Sequence, residues 1–245
     1  MVVDRSQLLA IVPGLDSGGS HWSGRVSLGA TLRSGNTDQT DVTAYLFARR
    51  ETAETRWDSK YNGAFSELDG SETANNHRLD SRFHWFFSDR LFYTPANLTY
   101  YRDRFQNIDY RVTVATYLGY DILDESKMTW DASVGPAWQT SKAISAQPGV
   151  DDTEDTGAIA FATNYGWDLA PDIEFDLNYS LTVPLPDTQN YNHHLMAMLS
   201  IDLPHSLELD ISIVWDRFNN PLPDANGNEP QANDFRTVIG IGFDF

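Results

Sequence analysis

The chain has 245 residues, and no Pro/Ser-rich or single-charge stretch divides it, so we expect one large domain. The 17 Lys and Arg residues against 35 Asp and Glu residues give a formal charge of -18, which disfavours a nucleic-acid partner. There is no cysteine, which excludes disulfides and thiolate chemistry, and no apolar run approaches the roughly 18 residues that a spanning helix needs.

Residues 1–20 are polar apart from the short stretch 8–13. They lack the basic region and long apolar core of a signal peptide, so if the protein is exported, we expect this to be a mature form whose leader has been removed. We assign 1–20 to a periplasmic extension or disordered segment, with a plug as a further alternative. The structured domain is expected to span 21–245.

From Trp22 onward, apolar and polar residues alternate with the period of two that places strand side chains on opposite faces. In the first run, Trp22, Val26 and Leu28 alternate with Ser23, Arg25 and Ser27. The second run, 41–50, has Tyr45 and Phe47 opposite its aliphatic residues, which leaves its orientation open.

Ten further runs follow along the chain. The Tyr-rich fifth run, 91–104, leaves its facing open, whereas the ninth alternates cleanly from Ile173 to Val183. The predicted strands after the second lie near 57–65, 78–87, 91–104, 110–122, 128–139, 159–168, 173–183, 194–202, 207–216 and 234–245.

A soluble β-sandwich would show the same alternation, so three other features favour a membrane barrel. Many runs reach about 10 residues, the length that a tilted strand needs to cross a bilayer. The polar faces carry charges in mid-strand, as a hydrated lumen permits. The connections also alternate in length, with short turns near 51–55, 88–90, 124–127, 169–172 and 204–206, and longer links at 68–75, 144–154, 184–190 and 219–233.

These features together predict an all-β fold, a transmembrane antiparallel up-and-down β-barrel of about 12 strands. An even number of strands would place both termini in the periplasm. Seven tryptophans near the ends of the runs fit aromatic girdles at the two membrane interfaces, although ordinary core anchors are the alternative. The partners expected are outer-membrane lipid and, during biogenesis, the barrel-assembly machinery.

Several short segments resemble a known family. The segment 32–38, with Ser34-Gly35-Asn36-Thr37 at its centre, resembles the opening motif of the bacterial salt-induced outer-membrane proteins, known as domain of unknown function 481. The segments 100–105, 109–111 and 119–120 are similar to its central block. The resemblance would cover about 22–245, and it implies an outer-membrane barrel with no established substrate or catalytic residues. The terminal Phe245 is similar to the signal that the barrel-assembly machinery reads.

Candidate chemistry is sparse. His21 and Ser23 share a strand face at a spacing that a base and a nucleophile could use, which leaves a lipid-acting hydrolase as a minor hypothesis. The loop 224–229 begins like a calcium loop but lacks the glycine and the bidentate Glu of that motif, so an acidic surface loop is the better interpretation. Gly35-Asn36 is best explained as a tight turn. We predict no cofactor, no metal site and no catalytic residues.

The remaining candidates are the charged residues of the polar face, which we predict to line the lumen. They support a narrow pore for small polar or charged solutes, with a plugged structural or salt-stress-related envelope protein as the alternative. Arginines concentrate on early strands and carboxylates on late ones, which predicts opposed charged walls. The candidates are Arg25, Arg33, Asp58, Lys60, Arg78, Asp80, Arg82, His84, Arg111, Asp131, Glu174, Asp176, Glu208, Asp210, Asp216 and Arg236.

Overall fold

Twelve antiparallel strands close into one barrel in the computed structural model, which describes residues 21–35 and 37–245. The strands are β1 Trp22–Arg33, β2 Gln39–Glu51, β3 Thr55–Leu68, β4 Ser71–Phe86, β5 Leu91–Asp103, β6 Ile108–Glu125, β7 Met128–Ala143, β8 Thr153–Ala170, β9 Ile173–Leu185, β10 Asn192–Leu203, β11 Leu207–Phe218 and β12 Asn233–Asp244. The predicted fold class is therefore confirmed. The assignment of 1–20 falls outside the described residues.

Each strand pairs with its neighbours in sequence, and β1 pairs with β12 to close the cylinder. The closing register places Val26 opposite Phe243 and Leu28 opposite Ile241. Phe245 extends this seam, because its backbone N and O both bond to Gly24 at 3.0 Å. Its role as an assembly signal stays a prediction.

The connections differ at the two ends of the barrel. The end with the links 52–54, 87–90, 126–127, 171–172 and 204–206 is called the short-turn end here. The opposite, long-loop end carries the links 144–152, 186–191 and 219–232 together with three shorter ones. A 3₁₀ helix, Thr188–Asn190, lies in one of these loops, and no helix in the described part of the chain is long and apolar enough to span a membrane.

The predicted loop at 68–75 is wrong. The link is only the pair Asp69 and Gly70, with φ of 50° and 77°, and β4 begins at Ser71. Two consecutive residues with positive φ form the tight hairpin turn whose twist matches the flanking strands, and Asp-Gly is a preferred pair there. In the turn at 34–38, Gly35 has a φ of 148°, whereas Asn36 lies outside the described residues.

The outer surface is apolar and the interior is polar. Large hydrophobic side chains on β1, β11 and β12 are about half exposed or more, such as Leu28, Ile213, Ile239 and Ile241. Trp22, Trp57, Trp85, Trp130 and Trp167 lie near the short-turn end, and Trp138 and Trp215 lie near the long-loop end. This arrangement has the two aromatic belts that a membrane barrel presents to its interfaces.

A charge placed on this outer surface should destabilise the barrel according to its depth. Ile239 lies mid-strand and is 62% exposed, so Ile239→Glu should lower the free energy of unfolding in phospholipid by about 1–2 kcal/mol. Leu32, which is 78% exposed near the long-loop end of β1, serves as the control, and Leu32→Glu should cost close to nothing. Urea unfolding followed by tryptophan fluorescence measures both. Equal losses would contradict a surface immersed in hydrocarbon.

The sequence left open which face of β2 and of β5 points inward, and the structure explains why for each strand. On β2, Tyr45 points inward and packs against the interior cluster of Met196, Met198 and Val214, so this polar face contains aromatic residues. On β5, a register irregularity between Thr94 and Asn97 moves the inward set from even to odd positions. A bulge of this kind interrupts the period of two within one strand.

Candidate functional site in the barrel lumen

Three of the cavities inside the described barrel lie in a row along its axis. The inner vestibule, at the short-turn end, has a volume of about 390 Å³, and the outer vestibule, at the long-loop end, has about 360 Å³. Between them lies a central chamber of about 90 Å³. The chamber shares Arg111 and Phe218 with the outer vestibule and Asp58, Lys60, Arg82, Asn164 and Asn178 with the inner one. Side chains therefore form both boundaries.

Four cations and two carboxylates line the central chamber, namely Lys60, Arg78, Arg82 and Arg111 with Asp58 and Asp80. The Arg78 Nε donates to Asp80 Oδ2 at 2.7 Å, and the Arg82 Nε lies 3.5 Å from Asp58 Oδ2. Asp58 is nearly inaccessible and also accepts a hydrogen bond from Arg49 at 2.7 Å. Each of these carboxylates is thus held by an arginine of the same wall.

Three side chains of β3 and β4 reach across the lumen to neutral partners on β8 and β9. Lys60 donates to the Asn178 side chain, Arg82 donates to Asn164 Oδ1 at 3.0 Å, and Arg78 contacts Ser180 Oγ at 3.5 Å. Strands that are not neighbours in the sheet are therefore bridged by side chains at the level of the chamber. These bridges narrow the passage without any backbone crossing it.

A second cluster surrounds Asp216, which is fully buried. Its Oδ1 lies 2.7 Å from His194 Nδ1, and its Oδ2 accepts from Arg236 Nη2 at 2.9 Å. Arg236 also contacts the Asn76 side chain on β4 and lies 3.5 Å from Asp234. The cluster therefore joins β10, β11 and β12 to the opposite wall.

Arg25 is the centre of a third cluster, near the short-turn end. It lies 2.9 Å from both Glu208 and Asp244, 3.5 Å from Glu174 and 3.8 Å from Asp210. Ser200 accepts a further hydrogen bond from it at 2.7 Å. One arginine of β1 is thus surrounded by carboxylates of β9, β11 and β12.

The remaining predicted residues lie in different environments. His84 is buried, with Nδ1 2.8 Å from Thr94 Oγ1. Asp131 and Asp176 line the inner vestibule, where Asp131 accepts hydrogen bonds from Asn164. Arg33 is exposed at the long-loop end of β1.

The charges are not arranged as two opposed walls of full height. In the chamber, cations of β3, β4 and β6 face amide and hydroxyl groups, because the carboxylates of β7 to β9 lie in the inner vestibule. Ten carboxylates and five cations line that vestibule. The charge therefore changes sign along the barrel axis, from an acidic inner vestibule to a cationic chamber.

The prediction omitted several lumen residues that narrow the path. Arg49 was missed because the orientation of β2 was open. Tyr101 is 2% exposed, and its ring centroid lies 5.1 Å from that of Phe218. Tyr117 is buried against Ala115 and Ala160. Aromatic residues on both faces of a strand gave no signal that would have placed these rings inside.

The hydrolase hypothesis gains no support from the geometry. His21 and Ser23 are both exposed at the start of β1. No hydrogen bond joins their side chains, and none of the residues described here orients the imidazole. Nor do the described residues contain a group of three or more His, Asp or Glu side chains that could hold a metal ion.

The loop 224–229 uses its first carboxylate internally. Asp224 Oδ1 accepts from the backbone N of Asn226 and Asn228 at 2.8 and 2.9 Å, and Oδ2 accepts from the Asn228 side chain at 3.0 Å. These hydrogen bonds, led by those from Asn228, lower the pKa of Asp224 below its ordinary value.

Replacement of Asn228 should raise the pKa of Asp224. In the wild-type protein the ionised Asp224 stabilises the loop at pH values above the ordinary pKa of an Asp side chain, because its pKa is lowered in the folded state. This stabilisation is lost as the pH falls through the folded-state pKa. Asn228→Ala should return the pKa towards its ordinary value, whereas Gln231→Ala, an exposed neutral change in the same loop, should not. Carboxyl ¹³C NMR titration measures both, and equal pKa values in the two variants would contradict the assignment.

Comparison with known proteins agrees with this architecture. The family model described as "Protein of unknown function, DUF481" matches residues 26–245, and no curated protein sequence matches the chain. Among solved structures, the NanC porin has a TM-score of 0.50 at 11% identity, over 90% of this chain and 98% of that one. At this identity the likeness shows the fold alone, that of an outer-membrane β-barrel.

Two further barrels are less similar. The translocator domain of the autotransporter NalP from Neisseria meningitidis has a TM-score of 0.47 at 10% identity, over 95% of this chain and 91% of that one. The KdgM porin, solved in complex with disordered oligogalacturonate, has a TM-score of 0.44 at 8% identity, over 91% and 99%.

Proposed function

We propose that this outer-membrane β-barrel, a chain that belongs to the DUF481 family of proteins of unknown function, is a narrow pore for small polar or charged solutes. The observation that carries the proposal is the row of three cavities, each lined in part by charged and amide side chains, whose boundaries are side chains and not backbone. A chamber of about 90 Å³ has room for several waters, each of which needs roughly 10–15 Å³ of such space. Side chains can rearrange without any movement of the backbone, so small solutes can pass where side chains alone form the boundary.

The proposed orientation places the short-turn end in the periplasm. Outer-membrane barrels have short periplasmic turns and longer outer loops, and the three longest links of this chain share one end. The strand termini at Trp22 and Asp244 would then both face the periplasm. The apolar belt would contact outer-membrane lipid.

Planar-bilayer recording of the refolded full chain tests the pore. We expect discrete conductance steps that are small, because Arg111 with Phe218 and Lys60 with Arg82 form two narrow levels. A bilayer that holds folded protein yet shows no steps at any salt concentration or voltage would overturn the proposal. Folded protein is verified independently by its resistance to unfolding in SDS.

A non-conducting structural barrel is the second candidate. It is favoured by the bridges that Lys60, Arg78 and Arg82 make across the lumen. Proteoliposome swelling separates the two functions. Swelling in a small polar solute above that of empty liposomes would support the pore, and rates equal to the empty control would support the structural barrel.

A further inference from the structure

Arg111 differs from the other arginines that line the central chamber. Arg78 has Asp80 at 2.7 Å, and Arg82 has Asp58 at 3.5 Å. Arg111 forms no ion pair and no side-chain hydrogen bond with any described residue, and its Nε is buried without a partner. A guanidinium stays charged in proteins, and a buried charge without a counter-charge is costly. Glu154 acts on Arg111 only as a longer-range charge in the same vestibule, so Arg111 lacks the direct ion pair that Arg78 and Arg82 have.

The position of Arg111 leaves it open to a solute. It lines both the chamber and the outer vestibule, and its guanidinium carbon lies 4.6 Å from the centroid of the Phe218 ring. The ring supports one side of the guanidinium and offers no hydrogen-bond acceptor of ordinary strength. The terminal nitrogens of Arg111 donate to no side chain within the described part of the chain.

Gln139 supplies a neutral donor beside this cation. Its Oε1 accepts from Asn192 at 3.0 Å and from Thr113 at 3.4 Å, while its Nε2 has no partner among the described residues. Thr113 pairs with Gln139 and Arg111 pairs with Ser141 across β6 and β7, so Gln139 lies diagonally next to Arg111 on the inner face. Both residues line the outer vestibule.

We infer that Arg111 and Gln139 form a binding site for a small carboxylate at the passage from the outer vestibule to the central chamber. The planar fork of a guanidinium matches the two oxygens of a carboxylate, and an adjacent amide N–H adds a third hydrogen bond. An anion that continues into the chamber of about 90 Å³ can have only a few heavy atoms, whereas the outer vestibule of about 360 Å³ does not impose this limit. The inference that this anion is a transported solute rests on the proposed pore, whereas the binding site does not.

Charge along the axis favours entry from the outer side. The inner vestibule has ten carboxylates against five cations, the outer vestibule has three carboxylates against two cations, and the chamber has four cations against two carboxylates, so an anion is repelled less on the outer side. The protein as a whole carries a charge of -18, so its surface does not attract anions in general. Anion binding is therefore expected to depend on Arg111 and not on overall charge.

Acetate binding to the full chain in detergent micelles tests the site without any conductance. The methyl ¹H signal of acetate should broaden with wild-type protein, and Arg111→Gln should abolish this effect. Arg111→Lys keeps the charge but not the fork, and should weaken binding by about tenfold. The control is Arg102→Gln, which removes an exposed arginine from the end of the adjacent strand β5 and should bind as the wild type does.

Bilayer recording then tests the solute class. In a KCl gradient the wild type should prefer chloride to potassium, and Arg111→Gln should lower that permeability ratio by about threefold or more, whereas Arg102→Gln should not. Acetate on the outer side should reduce the chloride current of the wild type and of Arg102→Gln, which both contain Arg111, but not the chloride current of Arg111→Gln.

The two measurements separate the inference from the proposed pore. Acetate binding that depends on Arg111 without any conductance would support the site and overturn the pore. Conductance with equal acetate broadening in wild type, Arg111→Gln and Arg102→Gln would support the pore and overturn the site. If Arg111→Gln does not fold, Arg111→Lys takes its place in the test. Acetate affinity equal to that of the wild type in Arg111→Lys would overturn a site that depends on the guanidinium fork.

Discussion

Replacement of Asp216 with Asn is expected to lower the free energy of unfolding by about 3 kcal/mol. Asp216 has no exposed surface and accepts from His194 at 2.7 Å and from Arg236 at 2.9 Å. The substituted side chain would keep the shape but not the charge, because an amide cannot balance the guanidinium. Among the described residues, Arg236 would then have only Asp234, at 3.5 Å, as a carboxylate partner.

Urea unfolding of the refolded barrel in phospholipid measures this effect. Asp202→Asn is the matched control, since Asp202 lies exposed near the short-turn end of β10 and should change stability by less than about 0.5 kcal/mol. The double variant Asp216→Asn/Arg236→Gln removes both charges and should recover part of the loss. Additive losses in the double variant would contradict a coupled pair.

The sequence predicted the fold because a lipid-facing surface forces strict alternation over long strands. It predicted β9 well, since Ile173 to Val183 contains no irregularity. It left β5 open, because the shift between Thr94 and Asn97 exchanges the faces within the strand. A bulge depends on how two strands pair, which a single run of residues does not encode.

The partners of the lumen charges were harder to predict than their location on the polar face. Periodicity gives the face of a strand but not the shear of the barrel, and shear decides which inward side chains share a level. Arg49 and Asp58 meet because they are directly opposite in the register of β2 and β3. The contact of Lys60 with Asn178 depends instead on the width of the closed cylinder.

The closed cylinder also explains why so polar an interior is compatible with folding. A dry interior would make unpaired charges prohibitive, but the inner vestibule, which Glu174 of the Arg25 cluster lines, has room for water. The buried carboxylates are paired with arginines instead, Asp58 with Arg49 and Arg82, and Asp216 with Arg236. Asp58 and Arg82 also lie at the boundary between the chamber and the inner vestibule, so this pair both stabilises the barrel and narrows the proposed pore.

Gly135 on β7 lies where the backbone of β6 approaches too closely to leave room for a side chain. A Cβ atom at Gly135 would lie 1.9 Å from the Thr116 carbonyl O and 3.2 Å from the Cα of Tyr117, so the backbone of β6 would have to move. Gly135→Ala should therefore lower the free energy of unfolding by about 3 kcal/mol, at the upper end of the usual cost of overpacking. Gly157→Ala on the neighbouring strand β8 is the control, because its Cβ would meet nothing within 4 Å.

A shift of β6 at Thr116 would also displace Tyr117, whose buried ring packs against Ala115 and Ala160 inside the lumen. Gly135→Ala should thus change the single-channel conductance as well as the urea midpoint, while Gly157→Ala should change neither. Loss of stability with unaltered conductance would mean that Tyr117 does not border the conducting path. Equal urea midpoints for the two variants would show that β6 and β7 are not in close contact at Gly135.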